Sequence, residues 1–94
     1  MLKGIDESTI KTPDLFFNIG VNFVNANKPE EAIAYFTRAV TVDPTYADGY
    51  FRRALACLGT QKLAEAKADF RKVLELTPTG PQADLSRKAL EQLK

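Results

Sequence analysis

The 94-residue chain carries 13 lysines and arginines against 12 aspartates and glutamates, a net charge of +1, and contains no histidine. This near-balance leaves no electrostatic footprint for nucleic acid or an anionic membrane, and the missing histidine removes the commonest metal ligand and general base. A single cysteine, Cys57, excludes an internal disulfide, while 45% hydrophobic residues fit one folded domain rather than a disordered chain.

In chain order, residues 1–12 come first. Leu2, Ile5 and Ile10 are apolar there, interrupted by Ser8-Thr9. The stretch reads as a short helix covering the start of the fold or as the remnant of a preceding repeat. Met1 to Lys11 lacks the apolar segment of a secretory signal, and no run approaches the roughly 20 apolar residues that span a bilayer. A cytoplasmic location is expected.

A first helix pair follows. Thr12 is expected as N-cap with Pro13 at the first helical position, and the helix runs to about Ala26. Asn27-Lys28-Pro29 breaks it. Glu30 and Glu31 then suit the N-terminus of a second helix, which carries Ala32, Phe36, Ala39 and Val40 on one face and runs to about Val42. Asp43-Pro44 ends it. A second pair repeats the plan: Thr45 as cap, a helix from about Tyr46 to Leu58, a turn at Gly59-Thr60, and a helix with Leu63, Ala66, Phe70, Val73 and Leu74 on one face. Thr77-Pro78-Thr79-Gly80 closes the unit. Pro81 opens a last helix, half apolar (Ala83, Leu85, Ala89, Leu90, Leu93) and half charged, as an end cap requires.

The two pairs coincide under a shift of 34 positions. Phe16 falls on Tyr50, Phe17 on Phe51, Ala32 on Ala66, Phe36 on Phe70 and Pro44 on Pro78. Small residues at Gly20, Ala54, Ala32 and Ala66 let paired helices approach closely, and the rings of Phe36 and Phe70 fill the space beside them.

These residues resemble the tetratricopeptide repeat family. The first unit supplies Phe16, Ile19-Gly20, Phe23, Ala32, Phe36, Ala39 and Pro44. The second supplies Tyr50, Arg53-Ala54, Cys57, Ala66, Phe70, Val73 and Pro78, departing from the family pattern at Arg53, Cys57 and Val73. The resemblance implies an all-α fold, an α-solenoid of antiparallel helix-turn-helix repeats in a right-handed superhelical stack. Residues 13–46 and 47–80 would be its repeats, 81–94 a C-terminal capping helix, and 1–12 an N-terminal extension or a remnant of a preceding repeat.

By the same resemblance the first helix of each repeat lines a concave peptide groove. That assigns partner-binding roles to Asp14, Phe17, Asn18, Val21 and Asn25 in the first repeat, and to Asp48, Phe51, Arg52 and Leu55 in the second. A partner segment would lie across Phe17, Val21, Phe51 and Leu55, with Asn18 bonding its amides and Arg52 pairing a carboxylate. The alternative is that the rings contact a neighbouring helix. Asp48 precedes Arg52 by one helical turn, so an ion pair between them is the alternative to a ligand role for Arg52. A subfamily clamps the C-terminal carboxylate of heat-shock chaperones. Asn18 and Arg52 match two of its positions, but Asp48 stands where the clamp has a lysine, and an intact clamp is not implied.

Nothing in the sequence composes a catalytic set. Ser8 and Ser86 have no histidine to activate them, the glycines are scattered, and Cys57 sits at an apolar position expected to be buried. No enzyme activity, cofactor or metal is expected. The sequence points to a scaffold binding a protein or peptide partner, with no nucleic-acid or membrane partner. The alternatives are a self-association module or a regulatory domain of a larger protein. Two repeats are fewer than an array usually needs. The edge formed by Leu15, Ile19 and Phe23 should therefore be covered by residues 2–12, by a second copy in a homo-oligomer, or by further repeats.

Overall fold

The computed structural model describes residues 12–93. The expectations for the first eleven residues, including their covering of the Leu15 edge, lie outside the described part. The described residues form five helices and no strand: α1 (Asp14–Asn25), α2 (Pro29–Val42), α3 (Ala47–Gly59), α4 (Leu63–Leu76) and α5 (Pro81–Gln92). Each packs chiefly on the helix before and the helix after it, so the fold is an all-α helical-repeat solenoid.

Every helix opens on an acid in its first turn: Asp14, Glu30 with Glu31, Asp48, Glu65 and Asp84. These carboxylates face the positive ends of the helix dipoles, and no N-cap side chain bonds the backbone. Two expected caps are therefore corrected. Pro13 is the cap residue of α1, with Thr12 Oγ1 accepting only a long 3.4 Å bond from the Asp14 N–H. Thr45 instead closes the turn before α3, giving its N–H and hydroxyl to Asp43 Oδ1 at 3.0 and 2.7 Å. Those bonds hold the Asp43 carboxyl below its ordinary range. The turns inside each pair are equivalent. Asn27 (φ 63°) and Gln61 (φ 65°) take left-handed backbone one period apart, so the second turn is made by Gln61, while Gly59 still belongs to α3.

The packing follows the small-to-large pattern. Ala32, Phe36, Ala39, Ala54 and Ala66 are fully buried, with Phe70 and Cys57 at 1% and 2% exposure. Burial raises the Cys57 thiol above its ordinary value. Around the second pair, Phe51, Ala54, Cys57, Ala66, Phe70 and Val73 form one core, against which Ala89 and Leu90 of α5 and Leu93 just after it are packed. Two expected core residues lie outside: Leu63, at the first position of α4, is 46% exposed and Leu85 is 53% exposed. In α5 the inward stripe runs through the buried Ala83 and Ser86 and the half-buried Leu90, so Ser86 takes the place expected for Leu85. Its buried hydroxyl has no hydrogen-bond partner among the described residues.

Gly20 shows why a small residue is needed. A Cβ there would stand 2.6 Å from Cε1 and 2.8 Å from Cδ1 of Phe36, whereas one at Gly59 would meet open space. Overpacking costs about 1–3 kcal/mol, against a helix-propensity gain of about 1 kcal/mol. Gly20→Ala should therefore lower stability by about 1 kcal/mol, while Gly59→Ala should raise it by about 0.5–1 kcal/mol. Urea melts should move in opposite directions for the two variants.

Candidate functional site

The first helices of the two pairs, α1 and α3, both line one cleft and carry the residues singled out above. Asp14, Asn18, Asn25, Asp48 and Arg52 are exposed, and Phe17 and Val21 are half-buried. Leu55 is 41% exposed. Phe51 is the correction: it is 7% exposed and lies edge-on to Phe70 at 6.2 Å. The apolar α5 side chains close the second core around it, so Phe51 supports α3 from within and offers no open face to a ligand. Its period-mate Phe17 is braced too, 5.6 Å from the Phe36 ring and 5.5 Å from Tyr46.

One end of this surface is acidic. The Tyr46 hydroxyl donates to Asp14 Oδ1 at 2.9 Å, tying the start of α3 to the start of α1. The Gln82 amide donates to Asp48 Oδ1 at 2.8 Å, tying α5 to α3 in the same way. Burial, the bond to Asp14 and the charges of Asp14, Asp48 and Asp43 raise the Tyr46 phenol well above its ordinary value, so it stays a donor. Both donors are neutral, so neither contact is an ion pair.

Toward their C-terminal ends the two helices contribute to a cleft of about 270 Å³ lined by Val24, Asn27, Pro29, Arg52, Leu55, Ala56 and Gly59. Val24 is 40% exposed and was not among the expected site residues. Its place three residues beyond Val21 on α1 was the available signal. The ion pair considered for Asp48 and Arg52 does not form. Among the described residues the ion pairs are Arg53–Asp69, Lys72–Glu75 and Arg87–Asp84. Arg52 thus stands exposed beside two exposed aliphatic side chains, an arrangement suited to a carboxylate with an apolar neighbour.

Behind α3, the departure at Arg53 has a structural cause. Its Nε and Nη2 each donate to a carboxylate oxygen of Asp69 at 2.8 Å, and Nη1 reaches Thr37 Oγ1 at 3.1 Å. Tyr50 stacks under the guanidinium at 5.5 Å. The Asp69 bonds hold Arg53 above its ordinary pKa despite its partial burial. One side chain thereby joins α2, α3 and α4. Among the described residues no acidic, cysteine or histidine group could hold a metal, and no helix is long and apolar enough to cross a membrane.

Comparison with known proteins gives a consistent picture. The human DnaJ homolog subfamily C member 7 is 36% identical over 92 residues, covering 97% of this chain and 19% of the relative. The chain thus spans about a fifth of that protein. The first TPR of Spaghetti (RPAP3), bound to the HSP90 peptide SRMEEVD, superposes with a TM-score of 0.78 at 32% identity, covering 88% of this chain and 67% of that one. The second TPR domain of human RPAP3, in complex with the HSP70 peptide SGPTIEEVD, also gives a TM-score of 0.78 at 31% identity, with the same coverage. The sequence model of the tetratricopeptide repeat matches residues 17–81. The chain belongs to the tetratricopeptide repeat family.

Proposed function

We propose that this chain is a protein-interaction module that holds an extended peptide segment of a partner between α1 and α3. The observation that carries the reading is Arg52, an exposed cation without an ion-pair partner among the described residues, lining the Val24–Leu55 cleft. The peptide complexes formed by two similar domains support it. Asp14, Asn18, Asn25 and Asp48 supply polar contacts in this reading, and Phe17, Val21 and Leu55 supply apolar ones. Phe51 acts only as the brace behind them. Within a longer chain, the same groove would recruit a partner to whatever the rest of that chain carries.

Selection from a random octapeptide library, followed by fluorescence anisotropy on the recovered peptides, tests this. The chaperone peptides SRMEEVD and SGPTIEEVD belong in the set. A hydrogen bond to a charged group contributes about 1.5–3 kcal/mol, so Arg52→Ala should weaken the selected peptides about tenfold or more, with helicity unchanged by circular dichroism. Equal binding by the wild-type chain and an Arg52→Ala, Leu55→Asp variant would remove the groove as the site. The competing reading is self-association, favoured by the exposed Leu15 (45%) on α1 and Leu85 (53%) on α5. It takes over if no peptide is recovered and the melting temperature rises with protein concentration.

A further inference from the structure

We infer that the groove selects a segment carrying both signs of charge: a cationic residue at Asp14 and Asp48, and a carboxylate at Arg52 beside an apolar side chain over Val24 and Leu55. The inference rests on the peptide-binding reading above and specifies its ligand.

The two ends of the surface differ in sign. Asp14 and Asp48 are exposed, and each engages one carboxylate oxygen with a neutral donor. Among the described residues the second oxygen of each takes no hydrogen bond or ion pair. The helix termini beneath them carry about half a positive charge each, which offsets about half of each carboxylate and leaves the end net negative. The Tyr46 phenol is raised first by burial and the bond to Asp14, and the charges of Asp14, Asp48 and Asp43 add to that shift. One helical turn beyond Asp48, Arg52 is the one cation among the residues lining the cleft, and the rest of that lining is neutral.

The spacing is set by the helix. Asp48 and Arg52 are four residues apart on α3, about 6 Å along its axis. An extended peptide advances about 3.3 Å per residue. A segment lying along α3 would therefore place its cation and its carboxylate about two residues apart, with the apolar side chain one or two residues beyond the carboxylate. A run of acidic residues fits poorly. In SRMEEVD or SGPTIEEVD, one carboxylate could meet Arg52, but its neighbours would be drawn toward Asp48 and Asp14 and repelled.

The test is fluorescence anisotropy on three peptides of equal length sharing one apolar residue: Lys and Glu two positions apart, Glu at both positions, and Lys at both. SRMEEVD is the fourth probe. The mixed peptide should bind the wild-type chain at least tenfold more tightly than the double-Glu peptide or SRMEEVD. Asp48→Lys should reverse that order, and Asp14→Lys should shift it in the same direction from an independent position. Asp48→Asn can still accept the Gln82 hydrogen bond, so it should narrow the difference without disturbing α5. If the acidic peptides bind the wild-type chain at least as tightly as the mixed one, and Arg52→Ala still weakens them, the charge inference is overturned while the groove stands. If no peptide responds to Arg52→Ala, the groove reading falls and takes this inference with it.

Discussion

Phe36→Ala is expected to cost about 3–5 kcal/mol, as burial-to-cavity substitutions of phenylalanine do. A domain of this size has a total stability of about 5–15 kcal/mol, so the loss could approach all of it. The site is poorly placed to relax. Phe36 is fully buried, Gly20 offers no side chain to fill the void, and Phe17 leans on the ring at 5.6 Å. The damage should reach the groove, because Phe17 would lose its brace while Tyr46 kept its bond to Asp14. Urea denaturation followed by circular dichroism measures the effect. Phe70→Ala should behave alike, its 1% exposure and contact with Phe51 making it the equivalent of Phe36 in the second repeat. Leu85→Ala, at a site 53% exposed, should stay within about 0.5 kcal/mol of the parent. A Phe36→Ala chain that melts within 1 kcal/mol of the parent would contradict the packing described here.

The second large effect is expected at Arg53 and Asp69. The Asp69 side chain is 7% exposed and the Arg53 side chain 21%. Removing one partner strands the other charge in a poorly solvated place, which costs about 3–5 kcal/mol for fully buried pairs. Because Arg53 keeps some solvent, Asp69→Ala should fall near the low end, about 3 kcal/mol. Removing both partners should be far milder. One period earlier the same two positions hold Ile19 and Tyr35, an uncharged pair in the same architecture. The double variant Arg53→Ile, Asp69→Tyr copies them and should melt within about 1 kcal/mol of the parent, since apolar replacements of buried pairs are often neutral or better. The sign of the pH dependence follows from the raised Arg53 pKa. Its contribution is complete below the ordinary arginine value and is lost only as pH rises through the higher folded value, so Arg53 itself should add no pH dependence between pH 6 and 9. A double-mutant cycle in urea separates the pair's coupling from the two single losses.

Much of the architecture was legible because it rests on a period. The recurrence of Ala32 and Phe36 at Ala66 and Phe70 encodes contacts within each helix pair, and the observed ends of α1, α2 and α3 fall within about one residue of the expected ones. What the period could not show is where equivalent positions differ. Phe17 and Phe51 are one repeat apart, yet Phe51 is sealed because α5 brings Ala89, Leu90 and Leu93 against its core. The sequence pattern placed Leu85, not Ser86, on the inner stripe of α5, since hydrophobicity alone does not fix a short helix's rotation. Arg53 broke the apolar pattern with no sign of its partner, because the match to Asp69 depends on the register between two helices. Val24 was not assigned to the groove, because its exposure on the cleft depends on how the two repeats are set against each other. The polar groove positions were assigned through resemblance, and the structure adds that Asp14 and Asp48 are held in place by Tyr46 and Gln82.

The neighbour-to-neighbour packing of the helices has a consequence for the groove's thermodynamics. Among the described residues α1 has its main packed neighbour on one side only, α2, whereas α3 is held between α2 and α4. In a quasi-linear stack of this kind, a helix packed on one side opens at less free energy than one packed on both. Among the described residues the groove is thus built from one wall held by a single neighbour and one wall held by two. A ligand spanning α1 and α3 would spend part of its binding energy holding α1 closed, and anything that firms α1 beforehand would return that energy as affinity. The protein could in this way be tuned as a binder without any change to the residues its ligand touches.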